Sequence, residues 1–108
     1  MTKDEKWMNV AIMEAKLAMK ENEIPVRSVL VQNEKIIAKA HNQPIKNNDP
    51  TAHAEIVAMR DAAKNLGNYR LSGCELYVTI EPCTMCLGAM VHARIKRVIF
   101  GAPESRSG

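Results

Sequence analysis

Apolar positions recur with a helical period at the start of the chain and with a two-residue period soon after. Met8, Ala11, Ile12, Ala15, Ala18 and Met19 fall on one face of a helix that runs to about Glu21. Thr2 and Glu5 open it as a T-x-x-E capping box. Pro25 blocks any continuation. "SVLVQ" (28–32) and "KIIAKA" (35–40) read as two strands around a short turn at Asn33 and Glu34. Residues 41–50, "HNQPIKNNDP", form a polar loop with two prolines. A second helix is expected from near Thr51 to Leu66, with Ala58, Met59, Ala62, Ala63 and Leu66 inward and Gly67 as its C-cap. "CELYVTI" (74–80) is a strand. Glu81, Pro82 and Cys83 open a third helix that ends near Arg94, and "RVIFG" (97–101) is a fourth strand.

The order αββαβαβ indicates a layered α/β domain with parallel strands around the second and third helices. Both helices follow a strand or its loop. Their N-termini therefore belong together at the carboxyl ends of strands, where open α/β sheets place their sites.

Composition narrows the class without choosing within it. At 108 residues the chain is one small domain, and neither repeats nor a linker divide it. Its 46% apolar and 25% charged content is that of a soluble globular protein, and a net charge of +3 permits a polyanionic partner without demanding one. No apolar run approaches the length of a membrane span, and the charged N-terminus has no signal-peptide core, so a cytoplasmic location is expected. Three cysteines, an odd count, argue against a disulfide framework. Four aromatic residues are few for a protein that grips single strands mainly by stacking.

The chemistry concentrates in "HAE" (53–55) and "PCTMC" (82–86). Cys83 and Cys86, three apart on a helix, can face one point, and a thiolate is favoured near a helix N-terminus. His53 lies at the start of the other helix, where first-turn side chains lean back past the helix end. His53 and Glu55 can thus converge on something just beyond it. One histidine and two cysteines suit zinc, and a fourth position open to water marks a catalytic site. Zinc brings the pKa of such a water toward neutrality, and Glu55, not itself a ligand, is placed to carry its proton to a substrate nitrogen. Two blander readings exist. A structural knuckle lacking one ligand leaves Glu55 and Pro82 unexplained. A thioredoxin-like C-x-x-C pair needs no His-x-Glu.

"HAE" followed by "PCTMC" resembles the H-x-E…P-C-x-x-C signature of the zinc nucleobase deaminases. Within that superfamily the chain is most similar to the bacterial tRNA adenosine deaminases. The likeness is carried by "EIPV", "HN", "DPTAHAEI", "NYRLSGCELYVTIEPCTMC", "GAM" and "ARIKRVIFGA", and it extends from about residue 5 to 102. The resemblance implies a three-layer αβα cytidine-deaminase fold with a mixed sheet, a homodimer, a tRNA or other single-stranded nucleic-acid substrate, and conversion of a wobble adenosine to inosine. His53, Cys83 and Cys86 match the zinc ligands, and Glu55 matches the proton shuttle. Asn42 matches a residue that hydrogen-bonds the target nucleotide, the Ala54 backbone a contact to the base edge, and Ile24, Val26 and Ile80 an apolar pocket lining. Two stretches depart from the pattern. Arg27 and Ser28 stand where the family usually has Gly and Ala, which puts a bulky cation beside the expected pocket. Family members also usually continue past this end with a fifth strand and terminal helices, so a short member is expected, with Val98, Ile99 and Phe100 as an apolar edge prone to association.

The remaining candidates have plain readings. Cys74 is a small core residue, His41 and His92 are surface or satisfied histidines, and the seven methionines pack the core. Arg94, Lys96 and Arg97 suit either a phosphate-contacting patch or a solvated helix end. Cytosine in nucleic acid or as a free nucleoside is an alternative substrate to adenine, since both present an amine beside a ring nitrogen. A non-catalytic zinc module that binds RNA is the alternative from another class, and it would have no use for Glu55.

Overall fold

Thr2 and Glu5 cap the first helix reciprocally: the Thr2 N–H donates to Glu5 Oε1 at 3.0 Å, and the Glu5 N–H donates to Thr2 Oγ1 at 3.1 Å. The computed structural model describes residues 2–20, 27–43 and 47–101, and for residues 14–20 the backbone alone. Its elements are α1 (Lys3–Lys20), β1 (Arg27–Gln32), β2 (Lys35–His41), α2 (Ala54–Leu66), β3 (Glu75–Val78), α3 (Thr84–Ala93) and β4 (Arg97–Phe100).

The sheet has the order β2-β1-β3-β4. β1 pairs antiparallel with both β2 and β3, while β3 and β4 are parallel. The strands flanking α2 therefore run in the same direction with β1 between them, and those flanking α3 are parallel neighbours, as expected. The β1–β2 turn has φ of 51° at Asn33 and 62° at Glu34, the pair of positive values that a two-residue type I′ turn requires.

Each face of the sheet carries its own core. On one face Leu30, Leu76 and Cys74 meet Ile56, Met59 and Ala62 of α2 and Cys86 and Met90 of α3. On the other Val29, Val31 and Tyr77 meet Trp7 and Ala11 of α1. These are the three layers of the αβα reading. The face of α1 is rotated from the expected one: Trp7 is buried, whereas Ile12 is 47% exposed. The indole is the largest group available to fill the gap over Val29 and Val31, and it sets the rotation. The side chains of Ala15, Ala18 and Met19 lie outside the described residues. Leu66 is exposed rather than inward, at the end of α2 just before Gly67, whose φ of 67° makes the left-handed cap. Gly101 follows β4 closely: a Cβ there would stand 2.9 Å from the Thr79 carbonyl oxygen.

Ion pairs tie α1 to β3 and β4. Tyr77 donates its hydroxyl to Asp4 at 2.7 Å, and Arg97 reaches Glu75 at 2.7 Å and Asp4 at 3.2 Å. Arg97 is thus committed to a structural network, which separates it from the basic patch considered with Arg94 and Lys96.

The helix α2 starts at Ala54 rather than near Thr51. Asp49 explains the delay: its Oδ1 accepts from the Thr51 N–H at 2.9 Å and the Thr51 hydroxyl at 2.7 Å, which locks residues 49–51 into a turn. Its Oδ2 accepts from Arg60 at 2.8 Å. The Thr51 hydroxyl and Arg60 hold the Asp49 carboxyl down to about 2 from 3.8. A depressed carboxyl stabilises the fold above its unfolded pKa and loses that contribution as pH falls through the folded value. The melting temperature is therefore expected to drop between about pH 4 and pH 2, and Asp49→Asn should make that drop shallower in a pH series of thermal melts. Asp4 and Glu75, lowered chiefly by Tyr77 and by Arg97 respectively, account for part of the remaining slope. An unchanged slope in Asp49→Asn would remove Asp49 from this account.

Candidate metal and catalytic site

Two helix starts meet at the site. His53 is the N-cap of α2 and Cys83 the N-cap of α3; both have extended backbones, and neither makes a side-chain capping hydrogen bond. Each side chain is instead turned toward the other helix. Cys86, one turn into α3, is fully buried.

His53 Nδ1 lies 3.6 Å from Cys83 Sγ and 3.6 Å from Cys86 Sγ, and the two sulfurs are 3.6 Å apart. Tetrahedral zinc with Zn–S of ~2.3 Å and Zn–N of ~2.1 Å sets its ligand atoms ~3.6–3.8 Å apart. The triangle therefore fits the ion without rearrangement, and these three residues could hold it. Burial pushes the Cys86 thiol up, with the neighbouring Glu55 as the next cause. Zinc must displace that proton when it binds.

Glu55 stands on the first turn of α2, 3% exposed. Its Oε1 is buried without a hydrogen-bond partner among the described residues. Desolvation raises its pKa, opposed by its own backbone N–H, Cys86 and His53. A carboxyl that retains its proton more readily than usual, beside a metal triangle, has the character of a proton carrier.

Asn42 follows β2 and is buried. Its Oδ1 accepts the Ala54 N–H at 2.6 Å. That bond fixes the amide orientation and leaves the Asn42 NH₂ as the group available to a ligand. The Ala54 carbonyl oxygen accepts the Ser28 hydroxyl at 2.7 Å. Ile80 is half-buried, between β3 and α3. Ile24 and Val26 lie outside the described residues. Arg27 is fully buried, and strand alternation gives it the face of Val29 and Val31, toward α1. It is Ser28 that faces α2. The structure thus gathers His53, Ala54, Glu55, Cys83, Cys86 and Asn42, and sends Arg27 to the opposite side of β1. The Ser28 contact was not legible from spacing, since it joins residues 26 apart. Cys74 is buried among core residues, with its thiol pushed up by burial. His41 is buried, with Nε2 3.1 Å from Gln43 Nε2, and His92 is exposed.

A sequence profile described as the cytidine and deoxycytidylate deaminase zinc-binding region matches residues 1–102. The chain belongs to that deaminase family. It is 53% identical over 106 residues to the tRNA-specific adenosine deaminase of Haemophilus influenzae, covering 97% of this chain and 61% of that one. It is 48% identical over 108 residues to the tRNA-specific adenosine deaminase of Bacillus subtilis, covering 67% of it. The chain thus spans about two thirds or less of the length of such relatives. Among solved structures, one from a study of A-to-I editing by tRNA:A34 deaminases superimposes with a TM-score of 0.94 at 43% identity, covering 97% of this chain and 81% of the other. A guanine deaminase from Bacillus subtilis superimposes with a TM-score of 0.92 at 40% identity, covering 99% and 68%. The deaminase fold expected from the signature is therefore the fold of this chain. The family's zinc-binding region includes the His53, Cys83 and Cys86 triangle. No described helix is long and apolar enough to cross a membrane.

Proposed function

We propose that residues 1–108 form a single zinc-dependent deaminase domain that hydrolyses the exocyclic amine of adenosine in a tRNA anticodon or similar single-stranded nucleic acid. Water is consumed, the amine leaves as ammonia, and inosine remains. The carrying observation is the buried Glu55 carboxyl, proton-retaining and unpartnered at Oε1, two residues from His53 of a triangle of candidate zinc ligands. The names of the relatives support adenosine as the base.

Zinc bound by His53, Cys83 and Cys86 would supply Lewis acidity and make water reactive near neutral pH. Glu55 would carry two protons in turn at Oε1, the first from the water to a ring nitrogen and the second from the hydroxyl then on the base carbon to the departing amine. The Asn42 NH₂ would donate to an acceptor on the target nucleotide, with the Ala54 backbone and Ile80 bounding the base. Burial of Glu55 keeps bulk water from competing for that proton.

A homodimer acting in the cytoplasm accords with this reading. The groove lined by Ile56, Met59, Arg60, Ala63, Tyr69, Leu71, Ala89 and Ala93 offers a face for the second copy. Guanine deamination is the second reading, favoured by the 40% identity to a solved guanine deaminase.

Hairpins of RNA and DNA carrying a single A or a single C, together with free guanine, separate these outcomes. The proposal expects A to be read as inosine in RNA. Uracil from C, or xanthine from guanine, without inosine would overturn the base assignment. Zinc-dependent hairpin binding without any product would favour the non-catalytic module.

A further inference from the structure

The pair Arg27 and Ser28 departs from the family pattern, and no step of the proposed reaction uses it. Strand alternation parts the two side chains: Arg27 joins the α1 face, and Ser28 joins Leu30 on the face of α2 and α3. Ser28 is fully buried, and its hydroxyl donates to the Ala54 carbonyl oxygen across 2.7 Å. The Ala54 N–H donates to Asn42 Oδ1 across 2.6 Å. Both polar backbone groups of Ala54 are thus held by side chains from outside the helix.

These two bonds act on different peptide planes. The Ala54 N–H belongs to the peptide that joins His53 to Ala54. The Ala54 carbonyl belongs to the peptide that joins Ala54 to Glu55. Peptide planes are rigid, so fixing a carbonyl fixes the N–H and Cα at the plane's far side. Asn42 therefore holds the plane leading to the metal ligand, and Ser28 holds the plane leading to the proton carrier.

We infer that Ser28 is a positioning residue for Glu55: its hydroxyl, bonded to the Ala54 carbonyl, fixes the peptide from which the Glu55 side chain is aimed. The inference rests on the proposed role of Glu55. A small aliphatic residue at this position leaves the Ala54 carbonyl its place in the helix ladder but frees the plane to rock.

Ser28→Ala and Ser28→Thr test this in the zinc-loaded protein. Loss of one such bond is expected to lower kcat roughly two- to ten-fold in Ser28→Ala, with KM and the rate of zinc release to a chelator unchanged. Ser28→Thr, which keeps the hydroxyl, should recover kcat. Hydrogen exchange supplies a readout independent of substrate: the Glu55 amide, in the same peptide as the Ala54 carbonyl, should exchange roughly two- to ten-fold faster in Ser28→Ala, with β1 and β3 amides unaffected. Unchanged kcat and unchanged Glu55 exchange would overturn the inference. So would faster exchange throughout β1 and β3 with a fallen melting temperature, which marks a merely structural serine. If the unsubstituted chain deaminates none of the hairpins or guanine, the reading of its function fails, and the amide exchange alone decides whether Ser28 fixes the peptide.

Discussion

Glu55→Ala is expected to yield a folded protein that keeps one zinc per chain and loses turnover by about 10²–10⁴-fold, the range typical of a general acid–base group. The argument is geometric first. Glu55 shares the start of α2 with His53, yet it is not one of the three residues whose ligand atoms lie close together. Removing it should therefore spare metal binding. The stability expectation has a definite sign. Burial raises the Glu55 pKa, so its ionised form is disfavoured in the fold at pH values above its unfolded pKa. Alanine removes that penalty, and the cavity it leaves works in the opposite direction. The melting temperature at neutral pH should consequently change little. Metal analysis, thermal melts and single-turnover rates on one preparation check all three points. A near-native rate would dismiss Glu55 as proton carrier, and loss of zinc would make it a ligand.

The second large effect concerns the metal. His53→Ala, or exhaustive chelation of the unsubstituted chain, should remove zinc, abolish turnover and lower the melting temperature by about 10 °C or more. That size follows from linkage: a ligand at a hundred times its Kd stabilises by about 2.7 kcal/mol, and each 1 kcal/mol is about 4–8 °C in a domain of this size. The ligands come from the starts of α2 and α3, so the ion joins two elements that share only part of one core. Calorimetry with and without chelator, followed by zinc re-addition, measures the effect and its reversal. A folded, active protein free of zinc would refute the assignment.

What could be read from the sequence was local or chemically conspicuous. The capping box at Thr2 and Glu5, the Asn33–Glu34 turn and the Gly67 cap each depend on residues a few positions apart, and each forms as expected. The zinc triangle was legible because few other uses demand a histidine and two cysteines at helix starts. What stayed hidden depends on packing across the chain. The rotation of α1 is set by what Trp7 must cover, not by its own periodicity. The Asp4, Tyr77, Arg97 and Glu75 network spans up to 93 positions. The face on which Arg27 lies follows from the register of β1, and a one-residue shift would have exchanged its place with Ser28.

Helix N-caps are usually serine, threonine, aspartate or asparagine, whose side chains absorb the first free N–H groups, and losing such a cap costs about 1 kcal/mol. Here both N-caps near the site are residues that could hold the metal, and neither makes a capping bond. Two helices have given up their usual terminators so that His53 and Cys83 can face each other. The first-turn dipoles of α2 and α3 consequently converge on one point, with Glu55 as the acidic residue of the α2 first turn and none in that of α3. Thiolate ligands and a carboxylate are the natural company for such a place. The metal-free chain should fray first at these two ends, so that loading zinc and finishing the helices become one event.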